Sequence, residues 1–429
     1  MRQAPGTQFS GAIAACCVRL EQQNASELGA NGLPSVAVDP RSVDDAGIEA
    51  NIALFSVSGT RLLLVTVDLL FVGSSLTRAV RDVVSKVAPG VDVWISASHT
   101  HRAPAVDFDK PRLGAASAEV VVGLCAQVAS AVGQLLMDEA HPTDLSPRIG
   151  TADMAGLSVH RRARGRPRIT RKGLRLGGVV MAPNFAEPVQ RKAVRVDWVD
   201  ESGAVQCVMW HWACHPTAAP DPLTVSADYV GVVREAIRDQ VGQVPVLFFQ
   251  GFAGDIRPPA VRTWRTNPLR RALIGPGFRP FSRSEYCEWS DEVARRVVIA
   301  RPTAEATPIN QWPEVSSSRY TCDAEAFVKG SPTPAVVVQQ VAIGPLRIFG
   351  VSAEPSYGHV PVGISPETDW YCGYLEDVYG YLPTEQQYAE GGYEVDGFCS
   401  AFACEALRLE GVRSFSSMMA ERAAQDVAT

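Results

Sequence analysis

The chain has 429 residues, of which 46% are hydrophobic and 20% charged, so it carries enough apolar material for a large folded core. Its formal net charge of -6 and pI of about 5.7 are untypical of nucleic-acid-binding proteins, and we expect no nucleic-acid partner. No apolar run reaches about 18 residues, and the N-terminal run is too short and polar for a signal peptide. We therefore expect a cytoplasmic protein without a membrane partner.

The predicted elements alternate along the chain. Strand-like runs rich in β-branched residues, several of them apolar throughout, occupy residues 47–57, 60–72, 91–98, 192–200, 204–214, 244–251 and 335–354. Helical patterns lie between them, at residues 75–88, 117–140, 228–241 and 285–300. Uniformly apolar strands are typical of a sheet covered on both faces, and the alternation indicates an α/β fold. We predict a single large domain over residues 1–429, with a mixed β-sheet core and flanking helices.

Two segments interrupt this alternation, near residues 160–176 and 260–285. Both are rich in arginine, glycine and proline, which predicts loop or flap insertions. They are either solvated loops or a positively charged rim that steers an anionic substrate.

Polar side chains follow several predicted strands. His99 and His101 end one apolar run, His215 ends another, and Asp255 and Glu354 follow two more. In α/β proteins, ligands bind beyond the carboxyl ends of strands. In an extended chain, residues two apart point the same way, which predicts that the first two imidazoles share a face. A lone histidine is usually a satisfied core residue, but three N/O ligands with one open position are typical of a catalytic zinc site.

Tyrosines cluster in the C-terminal third, at Tyr381, Tyr388 and Tyr393. They are either packing residues with a hydrated hydroxyl, or phenols near a cation that bind a metal or stabilise an oxyanion.

Six segments in order resemble the neutral/alkaline non-lysosomal ceramidase family. They are SHTHRAP from Ser98, HRR from His160, HPT from His215 with SADYVG after it, FFQGFAGDIRP, SAEPSYG, and YLPTEQQYAEGGYE ending at Glu394. The resemblance implies a single ceramidase-like catalytic domain that holds one Zn²⁺. The implied zinc ligands are His99, His215, Glu354 and Tyr381, with water or a substrate oxygen in the remaining position.

The resemblance also implies catalytic roles for three residues that line the substrate amide or the water. We expect His101 to act as general base or acid, and Arg161 and Tyr393 to donate hydrogen bonds to the developing oxyanion. Asp228 and Asp255 would orient histidines, although Asp255 could equally pin a loop by capping.

The chain departs from the family pattern at Arg257, where the family has a serine, and at His160, where it has an asparagine. We expect no counterpart of the family's C-terminal immunoglobulin-like domain or of its signal peptide. A guanidinium at position 257 can grip a carboxylate, so we expect Arg257 and Arg162 to bind an anionic small-molecule substrate rather than ceramide.

The resulting hypothesis is a zinc-dependent hydrolase that cleaves an amide bond of a small, acidic acyl-amide. The alternatives are an ester or lactone hydrolase, an acyl transferase, a cyclase of a biosynthetic pathway, and a ligand-binding scaffold without activity. The N/O ligand set also permits iron or manganese, and the oligomeric state is open.

Overall fold

The computed structural model describes residues 11–21, 47–57, 59–138, 146–165, 168–170, 173–175, 177–262, 277–300 and 315–428. Within these residues the α-helices are α1 (Gly73–Val87), α2 (Ala118–Met137), α3 (Tyr229–Val241), α4 (Arg283–Ile299), α5 (Glu385–Glu390) and α6 (Leu409–Ala428). The strands are β1 (Gly11–Arg19), β2 (Glu49–Val57), β3 (Thr60–Val67), β4 (Asp92–Ala97), β5 (Ser146–Asp153), β6 (Val159–Arg164), β7 (Arg168–Thr170), β8 (Gly173–Arg175), β9 (Val179–Asn184), β10 (Lys192–Val199), β11 (Val205–Trp212), β12 (Val246–Gln250), β13 (Ile256–Arg257), β14 (Val261–Arg262), β15 (Gly277–Phe278), β16 (Val315–Asp323), β17 (Val328–Lys329), β18 (Ala335–Ile343), β19 (Leu346–Val351), β20 (Glu354–Pro355), β21 (Asp369–Cys372), β22 (Tyr381–Leu382) and β23 (Ala406–Leu407).

Three four-stranded sheets share one topology. Their strand orders are β1-β2-β3-β4, β5-β10-β11-β12 and β16-β18-β19-β21. In each sheet the first three strands are antiparallel neighbours, and the fourth runs parallel to the third. The amino-acid sequence has no matching repeat, so the repetition lies in the topology alone.

The three sheets enclose a common core. Phe55, Trp198 and Ile348 come from different sheets, and each is at most 1% exposed. The outer face of the first sheet packs against α1 and α2, that of the second against α3 and α4, and that of the third against α6. Both faces of each sheet are therefore covered, which explains why so many strands are apolar throughout. The predicted α/β fold, a mixed sheet core with flanking helices, is confirmed.

One strand end from each sheet leads to the candidate site. Strands β4, β11 and β19 end at Ala97, Trp212 and Val351. His99, His215 and Glu354 follow these ends by two or three residues. Three separate parts of the chain thus deliver polar side chains to one region.

The first basic segment differs from the expected loop. Its start lies in strand β6, and Arg161 and Arg162 are only 5% and 4% exposed. Strands β7 and β8 then form an antiparallel pair. In the second segment β14 pairs with β15, and α4 begins at Arg283, while residues 263–276 lie outside the described residues.

Helix α2 is, among the described residues, the one helix long and apolar enough to cross a membrane by length and composition. The sequence pattern predicted a helix here and no membrane span. Its residues Val120, Leu124 and Val128 are buried against the first sheet and α1. Core helices pass the same test of length and composition, so this finding is weak evidence for a membrane span.

Candidate metal centre

His99 and His101 meet through a turn rather than through an extended strand. Strand β4 ends at Ala97, and His99 adopts a left-handed backbone conformation with φ 67°. Such a φ is strained for a residue with a Cβ and clusters at functional sites. The Nε2 atoms of the two imidazoles are 3.3 Å apart. The prediction that both imidazoles project from the same face of an extended strand is wrong, because strand β4 ends before His99.

Backbone carbonyls set the tautomers of two histidines. Nδ1 of His99 lies 3.0 Å from the Leu70 oxygen, and Nδ1 of His215 lies 2.7 Å from the Ala253 oxygen and 3.0 Å from the Ile256 oxygen. A carbonyl oxygen only accepts hydrogen bonds, so each Nδ1 carries a hydrogen, and in the neutral ring each Nε2 presents a lone pair. Burial and nearby Arg161 lower the pKa of His215 to about 4, which keeps this ring neutral at neutral pH.

Glu354 faces both lone pairs. Its Oε2 atom lies 3.3 Å from Nε2 of His99 and 3.3 Å from Nε2 of His215. Burial alone would raise the pKa of Glu354, whereas a proton on Nε2 of His99 or His215 would attract the carboxylate and hold its pKa well below the ordinary value. Without such a proton, three electron-rich atoms converge in a water-poor interior.

The geometry of these atoms fits a bound cation. Two ligands that bind Zn²⁺ at about 2.0–2.1 Å with a tetrahedral angle lie about 3.3–3.4 Å apart. Nε2 of His215 and Oε2 of Glu354 are also buried without a hydrogen-bond partner. Such orphaned acceptors are costly unless a cation or proton joins them. His99, Glu354 and His215 therefore suit an N/O metal site.

His101 also belongs to this cluster. One ring nitrogen each of His99, His101 and His215 lies within 4.8 Å of the others, close enough for the three to hold a metal ion. Backbone N–H of His101 donates to the Pro216 carbonyl oxygen (3.2 Å), which joins the turn of the first two histidines to the turn of the third. His101 is positioned either as a ligand or as the neighbouring base that the sequence predicted.

A close approach of backbone holds Glu354 near His215. Gly254 N–H donates to the Pro355 carbonyl oxygen (2.8 Å). A Cβ at position 254 would lie 2.7 Å from the Glu354 carbonyl oxygen, which requires glycine there. The neighbouring Ala253 carbonyl contacts His215, so one short loop fixes the spacing between two candidate ligands.

Tyr381 and Tyr393 complete the wall of the centre. Tyr381 pairs with Glu354 across strands β20 and β22, and its ring centroid lies 5.5 Å from that of Tyr393. Burial and Glu354 raise the pKa of Tyr381 well above its ordinary value, and Arg161 opposes this only in part. The phenol is thus protonated in the metal-free protein, and a bond from its oxygen to a metal requires the metal to displace that proton.

Arg161 reaches these tyrosines, whereas Arg162 faces another way. Cζ of Arg161 lies 5.3 Å from the Tyr381 ring centroid and 5.6 Å from that of Tyr393. Glu394 accepts from Nε of Arg161 (2.8 Å) and from Nη1 of Arg162 (2.6 Å). This buried carboxylate explains why two arginines of the basic segment are buried in a strand. Glu394 had no predicted role, although it directly follows Tyr393 in the sequence.

Arg162 lies among backbone carbonyls at the far side of strand β6. Its Nη2 donates to the Gly391 oxygen (2.9 Å) and the Gln387 oxygen (3.3 Å). It lines a cavity of about 620 Å³ that contains none of the candidate zinc ligands. The structure therefore does not bring Arg162 together with the candidate zinc ligands, and substrate binding by Arg162 stays a prediction.

The two aspartates expected to orient histidines do not contact the candidate ligands. Asp228 accepts from the backbone N–H groups of Ala218, Ala219 and Tyr229 and caps α3. Asp255 Oδ2 lies 3.1 Å from Nε2 of His160. Carbonyl oxygens take the orienting role at the centre, and a sequence pattern carries no signal for them.

Replacing Asp255 by asparagine should reduce stability in a pH-dependent way. Burial alone would raise its pKa, but His160 and the N–H groups of Tyr357 and Gln387 lower it from 3.8 to about 2. The ionised carboxylate then stabilises the fold by about 2 kcal/mol above pH 4, and this contribution disappears as the pH falls toward 2. Urea unfolding from pH 7 to pH 2 measures it.

The exposed Asp239 supplies the control for this measurement. Its change to asparagine should leave the urea midpoint unchanged at every pH. A deficit in the Asp255→Asn variant that is equally large at pH 2 and pH 7 would contradict the assignment.

Two cavities adjoin the centre. The small cavity, about 250 Å³, is lined by Leu70, Phe71, His99, His101, Arg112, Leu113, Glu354, Tyr381, Tyr393, Gly397, Ser400, Ala401 and Phe402. The arginine cavity, about 540 Å³, is lined by His101, Arg102, Arg161, Met181, His215, Thr217, Ala218, Ala219, Pro220, Pro222, Arg257, Phe278, Arg279, Pro280, Tyr381 and Tyr393. They share His101, Tyr381 and Tyr393, so the centre lies where the two cavities meet.

Comparison with solved structures identifies the fold as ceramidase-like. The chain is similar to neutral ceramidase from Pseudomonas aeruginosa, with a TM-score of 0.71 and 13% sequence identity over 96% of this chain and 73% of that chain. It is similar to a ceramidase complexed with C2, with a TM-score of 0.70 and 13% identity over 96% of this chain and 74% of that chain. No family model and no curated protein matches the chain. The resemblance read from the motifs is confirmed as a likeness of fold.

Proposed function

We propose that the protein is a zinc-dependent hydrolase that cleaves an amide bond of a small, anionic acyl-amide. The observation that carries the proposal is that Oε2 of Glu354 lies 3.3 Å from Nε2 of His99 and 3.3 Å from Nε2 of His215, where two cavities meet. The similar solved structures are ceramidases, a name that denotes cleavage of an amide bond. The likeness to them supports the same class of reaction here.

Residues of this chain suit a mononuclear zinc site. His99, His215, Glu354 and Tyr381 would hold the ion, which supplies Lewis acidity that polarises a carbonyl group and makes water a stronger acid. The carbonyl oxygens behind His99 and His215 keep both imidazoles in the tautomer that a cation needs.

His101 is placed for proton transfer. In amide hydrolysis a water oxygen forms a bond to the carbonyl carbon, and the bond from carbon to nitrogen breaks to give a carboxylic acid and an amine. His101 lines both cavities and is only partly buried, so it can exchange protons with groups on either side. We propose that it accepts a proton from the attacking water and delivers it to the leaving nitrogen.

We infer that Arg161 and Tyr393 stabilise negative charge on the substrate oxygen. Nη2 of Arg161 is buried without a hydrogen-bond partner, and its Cζ lies 5.6 Å from the Tyr393 ring centroid. Burial raises the pKa of Tyr393, so the phenol remains a hydrogen-bond donor at neutral pH. Donors that are fixed before reaction are effective because they need no reorganisation as negative charge develops.

The arginine cavity supports an anionic substrate. Among the described residues, none that line this cavity carries a carboxylate, whereas four arginines do line it. A substrate with a negative charge would be attracted to this side of the centre.

The test combines metal analysis with product analysis. The purified protein should contain one zinc per chain and should cleave short N-acyl amides. In water labelled with ¹⁸O, the acid product should gain one labelled oxygen. Acyl products without the label would instead indicate acyl transfer or ring closure. Faster turnover of esters or lactones would favour an ester or lactone hydrolase. Zinc-free protein with unchanged turnover would refute the proposal.

A further inference from the structure

The two cavities beside the centre differ in chemical character. The small cavity presents Leu70, Phe71, Leu113, Ala401 and Phe402, all apolar. Arg112, which also lines it, donates to the Ser400 carbonyl oxygen (3.3 Å). The arginine cavity carries guanidinium groups on the opposite side of the shared histidine and tyrosines. A molecule that spans the centre would therefore place an apolar part on one side and a negative charge on the other.

Arg257 is a cation of the arginine cavity without a counter-charge among the described residues. Its Nε is buried without a hydrogen-bond partner, and its Cζ stacks 4.4 Å from the Phe278 ring centroid. No described carboxylate lies within ion-pair distance of it. By contrast, Arg161 is paired with Glu394 and Arg279 with Glu285. A partly buried guanidinium without an acid partner is costly, which points to a ligand that supplies the anion.

The position of Arg257 ties this cation closely to the candidate metal centre. It directly follows Ile256, whose carbonyl oxygen accepts from backbone N–H of His215 (3.3 Å) and lies 3.0 Å from Nδ1 of the same histidine. Ile256 therefore holds the candidate zinc ligand His215, and the next residue, Arg257, carries the anion-binding guanidinium. A substrate in which few atoms separate the scissile amide from the negative charge fits this arrangement better than one in which many do.

We infer that the substrate is an N-acyl amino acid, with its α-carboxylate bound by Arg257 in the arginine cavity and a short apolar acyl chain in the small cavity. The inference rests on the proposed function, because it assigns the two halves of the amide to the two sides of the centre. In an N-acyl amino acid a single carbon atom separates the amide nitrogen from the carboxylate, and Arg257 lines the same cavity as His215. The planar guanidinium can bind both carboxylate oxygens.

The first experiment compares N-hexanoyl-alanine with N-ethylhexanamide, which lacks only the carboxylate. The wild-type protein should prefer the acid. Arg257→Met should reduce that preference in kcat/KM by about 10- to 100-fold, because it removes a charge-assisted hydrogen bond. Arg295→Met is the control, since Arg295 is paired with Glu292 on the exposed face of α4 and lines neither cavity; it should change the preference by less than about threefold.

The second experiment tests the acyl side with N-acyl-alanines from acetyl to decanoyl. Ala401→Leu fills part of the small cavity and should shift the preferred chain to shorter lengths without changing the preference for the carboxylate. An unchanged chain-length profile would refute the assignment of the acyl chain to this cavity.

The outcomes separate this inference from the proposed function. Cleavage of neutral amides with equal effects of Arg257→Met on both substrates would refute the inference and leave amide hydrolysis standing. If no amide is cleaved, the proposed function fails. Calorimetry then decides the inference: N-hexanoyl-alanine should bind the wild-type protein and lose at least tenfold in affinity with Arg257→Met, and absence of binding would overturn it.

Discussion

Replacement of Glu354 by glutamine should weaken Zn²⁺ binding by at least about 100-fold. Loss of a residue that merely orients a ligand costs about 10- to 100-fold in metal affinity, and Glu354 is a candidate ligand that supplies the negative charge. Its carboxylate faces two neutral imidazole lone pairs, at 3.3 Å from each. An amide in its place removes the charge and presents a weaker oxygen ligand. Titration against a competing chelator gives the affinity.

In the metal-free protein the same substitution should leave thermal stability unchanged or increase it. Without a cation, the ionised carboxylate of Glu354 is opposed to the lone pairs of His99 and His215, whereas an amide NH₂ can donate a hydrogen bond to one of them. The apo variant should therefore unfold at the same temperature as the apo wild type or at a higher one, and zinc should stabilise only the wild type.

A second buried carboxylate outside the centre serves as the control. Glu376 accepts from Arg81 and Arg319 and is 5% exposed. Glu376→Gln should lose stability yet retain the zinc affinity of the wild type. Equal zinc affinities of Glu354→Gln and the wild type would refute the metal centre.

Replacement of His101 by glutamine should lower kcat by about 10²- to 10⁴-fold while zinc remains bound. A general base contributes this much to a hydrolysis, and glutamine cannot take up a proton near neutral pH. The experiment also separates the two roles that the geometry permits, since His101 lies within 4.8 Å of the other imidazoles. Zinc content by elemental analysis and kcat on a neutral amide are the two measurements.

His359 provides a matched substitution. It is a buried histidine whose Nε2 lies 3.0 Å from the Pro383 carbonyl oxygen, and it lies outside both cavities of the centre. His359→Gln should affect stability but leave kcat within about threefold of the wild type. Loss of zinc from His101→Gln would identify His101 as a ligand and contradict its role as the base.

Much of the fold was predictable because it depends on local patterns. In residues 60–72 and 244–251, apolar side chains occur on both faces of the strand, as is expected for strands that are buried on both sides. The histidines and the glutamate at strand ends were predictable as a group, since the carboxyl ends of buried strands are where α/β proteins place polar sites.

Other features depend on partners far away in the sequence. Arg161 and Arg162 were predicted to lie in a loop because local composition is charged, but Glu394, more than 230 residues later, allows both to be buried in a strand. The left-handed conformation of His99 likewise has no local signal, because any residue except glycine disfavours it. The common topology of the three sheets is invisible in the sequence, since packing constrains hydrophobicity rather than residue identity.

The delivery of one candidate ligand by each of the three like sheets has a mechanical consequence. An ion held by His99, His215 and Glu354 would link three sheets whose other mutual contacts are mainly apolar and non-directional. Part of the free energy of metal binding would then stabilise the packing of the sheets against one another. Chelation should therefore quicken amide hydrogen exchange first where the sheets adjoin, near the ends of β4, β11 and β19, well before any single sheet comes apart.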